Sequence, residues 1–184
     1  MKVIKKPFVA VLLSALIIFS STLLSVDVKL GAKCQNITDG FYEGVVYEGY
    51  QHKSIASQLR NICGAADGMV TIAKNYDIDT DAVSSATDEM KSALTYGSVS
   101  YIHYLYEELL DAVQPLEDQL SRAALNERDA DGFKQYSSTI TGARSVIENS
   151  GYNESVRAFL RGYMHFPADF LAELSGVELP ELFE

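Results

Sequence analysis

Hydrophobic positions recur every three or four residues through most of this chain, the spacing of helices that bury one face. One stretch breaks that pattern by being apolar on every side. Residues 8–26 carry no charge and follow Lys2, Lys5 and Lys6. At about 1.5 Å of rise per residue they are long enough to cross a hydrocarbon core of about 30 Å. A cleaved secretory signal begins the same way, but its apolar part runs only about 7 to 15 residues and ends in small residues suited to cleavage. Here residues 27–33 offer no A-x-A pattern, and Lys33 sits before Cys34, which does not suit a lipoprotein signal. The reading is a signal-anchor over residues 1–30, a linker over 31–45 and one bundle domain over 46–184, with a cleaved, secreted form as the alternative.

Beyond the linker the periodicity predicts a series of helices. Ile55, Leu59, Ile62, Ala66, Met69, Val70 and Ala73 form a stripe on a helix reaching about residue 76. A short helix follows over residues 82–93, capped by Thr80 or Asp81, whose side-chain oxygen can accept an otherwise orphaned amide proton of the first turn. Residues 101–124 carry Ile102, Leu105, Leu109, Val113, Leu116 and Leu120 at helical spacing, with Pro115 predicting a kink or a restart because proline removes a donor and clashes with the preceding turn. Residues 126–132 are charged and end in glycine, and read as a solvated turn. A last long helix is expected over 133–165. Its stripe of Phe133, Tyr136, Ile140, Ala143 and Ile147 shifts phase across residues 149–151 into Tyr152, Val156, Phe159, Tyr163 and Phe166. Pro167 should end it. Phe170, Leu171 and Leu174 then mark a short amphipathic piece closing at Gly176, and Leu179, Pro180 and Phe183 a tail that packs back. The fold class is all-α: an N-terminal transmembrane helix followed by an antiparallel bundle of three to four main helices.

Composition agrees, with four prolines and no tryptophan, and about 150 residues beyond the anchor suffice for one core. Charge narrows the partners. Of the 15 basic and 25 acidic side chains, five lysines and Asp27 lie before Cys34, leaving 10 and 24 for the body, a net charge of −14. Such a surface repels nucleic acid and anionic headgroups. Three lysines before the apolar run against Lys29 and Lys33 after it lean toward a cytoplasmic amino end and an extracytoplasmic bundle.

At the carboxyl end Tyr152-Asn153, Val156-Arg157, Phe166-Pro167, Gly176 and Phe183-Glu184 occur in that order, and earlier come Gln58-Leu59-Arg60, Val70, Lys74 and Tyr76. With these residues the chain resembles the LemA family. The family's usual arginine pair and Asp-Leu-Ile-Pro stretch are replaced here by residues 61–67, and Leu160 stands where the family has asparagine. The resemblance implies a membrane helix followed by a helical bundle in the cell membrane. It implies no reaction and no cofactor, since no catalytic residues are established for the family. It also implies a short amino end outside the cell, opposite to the lysine bias.

Candidate chemistry is sparse. Asp77, Asp79 and Asp81 alternate and Asp88 falls twelfth, like a calcium loop, but Ala82 replaces the sixth-position glycine and the last ligand is aspartate, so a solvated turn with a helix cap is the simpler account. His52, His103 and His165 form no ligand pair of the H-E-x-x-H kind. Cys63 lies on an apolar stripe, where burial raises a thiol pKa and lowers its reactivity. Cys34 and Cys63 are a candidate disulfide. If the first bundle helix begins near residue 41, Cys63 lies about 33 Å along it and seven extended residues from Cys34 reach only about 24 Å; if it begins near residue 50, about 20 Å remain and a folded-back linker closes the gap. Tyr101, Tyr104 and Tyr106, with Tyr42, Tyr47 and Tyr50, are the best candidates for a recognition surface, ordinary packing being the competing account. Asn36-Ile37-Thr38 and Asn153-Glu154-Ser155 are sequons that matter only in a glycosylating pathway. The expectation is a non-catalytic, membrane-anchored protein acting through protein contacts. The alternatives are a surface sensor for a small ligand or cation, and an unrecognised hydrolase.

Overall fold

A computed structural model of the chain describes residues 5–47, 49–163, 165–166 and 168–184. The described residues form α1 (Lys5–Glu43), a minimal antiparallel hairpin of β1 (Val46–Tyr47) and β2 (Tyr50–Gln51), and then α2 (Ile55–Lys74), α3 (Asp81–Tyr96), α4 (Val99–Arg122), α5 (Glu127–Glu148), α6 (Tyr152–Tyr163) and α7 (Ala168–Ser175). The all-α expectation holds, with an apolar N-terminal helix followed by a bundle.

α1 departs from the expected anchor and linker because it does not stop. Residues 31–45, read as linker, are helical as far as Glu43, where Gly44 takes a left-handed φ of +91° and turns the chain into the hairpin. A side chain there would also run into the carbonyl of His52, so the tight turn requires glycine twice over. From Val9 onward α1 is long and apolar enough to cross a membrane; Leu13, Leu16, Ile17, Ile18 and Leu24 in its first half are exposed, whereas Leu30, Cys34 and Phe41 farther along are buried.

α2 is the centre of the bundle. Ser54 caps it, its hydroxyl accepting from the Ser57 N–H at 3.0 Å, and the predicted stripe is buried as expected, with Leu59, Ile62, Ala66, Met69 and Ala73 fully enclosed. Each large aliphatic side chain so buried contributes about 1.5–3 kcal/mol. α2 packs most extensively on α5, then on α3, α1 and α4, while α3 and α4 form a hairpin and α7 lies against α1.

Several boundaries differ from expectation. α4 runs unbroken through Pro115: the proline is on the exposed side, so the carbonyl it deprives of a partner faces water and no restart is forced. The stretch 126–132, expected as a turn, is the cap and opening turns of α5, because Asn126 caps it through the Asp129 N–H at 2.9 Å and Glu127 and Asp129 suit the positive end of the helix dipole. The long last helix is two helices. The chain breaks at Asn149–Gly151, where Gly151 adopts φ +70°, and α6 ends at Tyr163; Pro167 lies outside the described residues. Thr80 stands at the cap of α3 without a side-chain bond, and Asp79 instead accepts from the Asp81 N–H at 3.1 Å.

Candidate functional site

The tyrosine cluster sits where α3 turns into α4. Gly97 and Ser98 make the corner, and Ser98 caps α4 by accepting from the Tyr101 N–H at 3.3 Å, which fixes the first turn that carries the aromatic rings. Tyr101 and Tyr104, three residues apart and therefore neighbours on the helix surface, stack with ring centroids 6.4 Å apart and an interplanar angle of 19°. They are 50% and 56% exposed, and Tyr96 beside them is 90% exposed. The Glu108 carboxylate next to Tyr104 holds that phenol above its usual range. A shallow depression of about 450 Å³ opens between Glu89, Ser92, Tyr96, Ser98 and Tyr101. Tyr106, grouped with this pair in the sequence, does not join it. It points into the core, its ring 5.6 Å from Phe183, and burial pushes its pKa up despite the Arg144 guanidinium nearby.

The acidic loop is a turn. Asp77 takes the left-handed φ of +55°, Asp79 bonds the start of α3, and Asp81 opens that helix. Asp88 faces Lys91 at 3.7 Å, and Lys91 reaches Asp67 on α2 at 2.8 Å, a pairing that raises the lysine pKa. Among the described residues no group of three His, Cys, Asp or Glu side chains converges within reach of one metal ion. His103 lies 3.8 Å from Glu107 one turn on and stands edge-on to Phe183 at 4.8 Å, as part of a packed aromatic group.

The candidate disulfide is not formed. Cys34 and Cys63 are free and buried in separate clusters, Cys34 with Leu30, Phe159 and Ala172, Cys63 in the main core. The physical reason is the continuity of α1: with residues 31–43 helical there is no extended linker to fold back onto α2. Burial drives the Cys63 thiol up to about 11, far from nucleophilic.

Tyr152, Asn153 and Arg157 converge on the extended carboxyl-terminal segment of the chain. The Tyr152 hydroxyl donates to the Glu181 carbonyl at 2.9 Å. Asn153 engages Phe183 at both ends of its amide, and Arg157 pairs with the Glu184 carboxylate. Phe183 enters a pocket of aromatic rings formed by Phe41, His103 and Tyr106. The Glu181 carboxylate closes on the start of α4, accepting from the Ser100 N–H at 2.9 Å and its hydroxyl at 2.8 Å; those bonds lower its pKa. Phe166 is 84% exposed and takes no part. The roles of Phe41 and Ser100 were not foreseen; a serine preceding a helical stripe was the one signal for the second.

A larger groove of about 920 Å³ runs between α1 from Asp27 to Tyr42, the corner at Gly97, and residues 176–181. Comparison of the chain with family models, with curated proteins and with solved structures returns no match.

Proposed function

We propose that this chain is a LemA-like, membrane-anchored bundle that acts through protein contacts as a scaffold, adaptor or envelope factor, with its body on the extracytoplasmic side and without a cofactor or a catalytic step. The observation that carries the reading is the exposed Tyr96, Tyr101 and Tyr104 group at the corner capped by Ser98. Tyrosines offer large contact area with a polar tip at low conformational cost, which suits a protein interface. The bare apolar half of α1 supports the anchor, and the net charge of −10 disfavours nucleic acid. The carboxyl-terminal residues quoted for the LemA resemblance fit the same picture, since Tyr152, Asn153 and Arg157 hold the bundle together.

The test is photo-crosslinking in native membranes from a probe at Tyr101 or Tyr104, with a probe at exposed Arg128 as control. A reproducible adduct from the tyrosine positions alone is expected; a protein that remains uncrosslinked there overturns the reading. Orientation is read by an impermeant thiol reagent acting on a cysteine placed at Arg128 after Cys34 and Cys63 are replaced. The groove beside α1 favours a second reading, a sensor for a small ligand, which predicts a ligand-dependent rise in melting temperature.

A further inference from the structure

The side of α7 turned away from α1 carries Phe170 and Leu174 between the exposed carboxylates of Asp169 and Glu173, and none of these four is buried by the described residues. Ala172 faces α1 and is 1% exposed, while Phe170 and Leu174, four residues apart on the opposite side, are 53% and 50% exposed, and Phe166 just before the helix is 84% exposed. Single exposed hydrophobic residues are ordinary, but three bulky ones within nine positions, two of them in helical register, form a stripe that water solvates poorly.

Its location tells what covers it. α7 and the end of α6 pack on α1 immediately past the apolar run: Leu30 and Cys34 form a cluster with Phe159 and Ala172, and Val26 and Val177 pack against it. At about 1.5 Å per residue, Leu30 lies only about 6 Å beyond Val26, and the interfacial layer of a bilayer is about 5–7 Å deep on each side. Lys33 ties the level down by donating to the Tyr163 hydroxyl at 2.7 Å and lying 3.9 Å over that ring. Aromatic and aliphatic side chains with lysine and arginine beside them suit an interfacial layer, and Lys29, Lys33 and Arg161 lie at this end together with Asp27, Asp169 and Glu173, so the contact is apolar rather than a basic patch for anionic headgroups.

We infer that Phe166, Phe170 and Leu174 form a second membrane contact, an interfacial foot that dips into the same bilayer crossed by α1. The inference rests on the reading that residues 8–26 span the membrane. The bundle is then held to the bilayer at two points, the span and the foot, and cannot rotate about α1 freely.

The experiment uses the full chain, with Cys34 and Cys63 replaced by alanine, in phosphatidylcholine vesicles. An environment-sensitive fluorophore is placed by Phe170→Cys, by Leu174→Cys, by Ile17→Cys in the span and by Arg128→Cys far from it. Lipids carrying a quencher either near the headgroups or near the bilayer centre are then compared. The expected result is loss of emission at 170 and 174 to the shallow quencher, loss at 17 to the deep one, and none at 128. Labels at 170 and 174 that behave like the one at 128, while the one at 17 is quenched, overturn the foot and leave the anchor standing. A label at 17 that escapes both quenchers overturns the span and the foot together. Two foot positions guard against one label disturbing α7.

Discussion

The side-chain amide of Asn153 reads the main chain of Phe183 as a neighbouring strand would: Nδ2 donates to the Phe183 carbonyl at 2.9 Å, and the Phe183 N–H donates to Oδ1 at 2.8 Å. Both backbone groups are thereby satisfied where the ring is buried. Asn153→Ala leaves them without partners, at a cost of about 1–3 kcal/mol. Asn153→Asp keeps the acceptor but turns a carboxylate oxygen toward a carbonyl, and is expected to be no better. Denaturant unfolding measures the loss, and hydrogen exchange at the Phe183 amide locates it; equal protection in the wild type and Asn153→Ala would refute the clamp.

Glu181 makes the docking of this segment sensitive to acid. Its folded pKa is lowered by the bonds from Ser100, so the stabilisation it provides is fully present above the unfolded value near 4.5 and is lost as pH falls through the folded pKa. Glu181→Gln is expected to lower the melting temperature at pH 7, with the gap to wild type closing once both are below the folded pKa. A gap that does not change with pH would mean that packing rather than charge is responsible.

The two free thiols define a third outcome. Intact mass is expected to be the same with and without reductant. A thiol reagent at neutral pH should modify the folded protein slowly, because Cys63 is enclosed and its pKa lies near 11, and should modify both cysteines rapidly in denaturant. A reductant-dependent mass gain of two hydrogen atoms would restore the disulfide.

Gly68 on α2 faces Tyr136 on α5: a Cβ there would overlap the ring of Tyr136. Alanine in mid-helix is favoured over glycine by about 1 kcal/mol, whereas overpacking costs about 1–3 kcal/mol. Gly68→Ala is therefore expected to destabilise by about 1 kcal/mol in the wild type and to stabilise in a Tyr136→Ala background. Additive effects in that double-mutant cycle would show that the ring swings aside without cost.

The helical periodicity was legible because burial follows it closely: the α2 stripe predicted from spacing is the stripe that is enclosed. The same spacing could have separated Tyr106 from its neighbours, since it lies four residues after Ile102 and three before Leu109, both in the core, while Tyr101 and Tyr104 fall between the stripes. The start of α5 was misread because a polar, glycine-containing segment is equally a loop or a capped first turn; Tyr76 decides it, donating to Asp129 and accepting from the Asn126 N–H, both at 2.9 Å. The tail's docking has no local signature at all. Asn153 and Phe183 are 30 positions apart, and only the fold makes them neighbours.

α1 passes from its bare apolar half into the bundle without a joint. A flexible tether would let the body sweep a hemisphere around its attachment; a helix that continues from Asp27 to Glu43, about 25 Å of rise, is a mast instead. With residues 8–26 in a bilayer, the height and the side at which the bundle meets its surroundings follow the tilt of the span, which swings the tyrosine corner through an arc. Lipid thickness, which sets the tilt of a span, would then act as a mechanical control on what the bundle can touch.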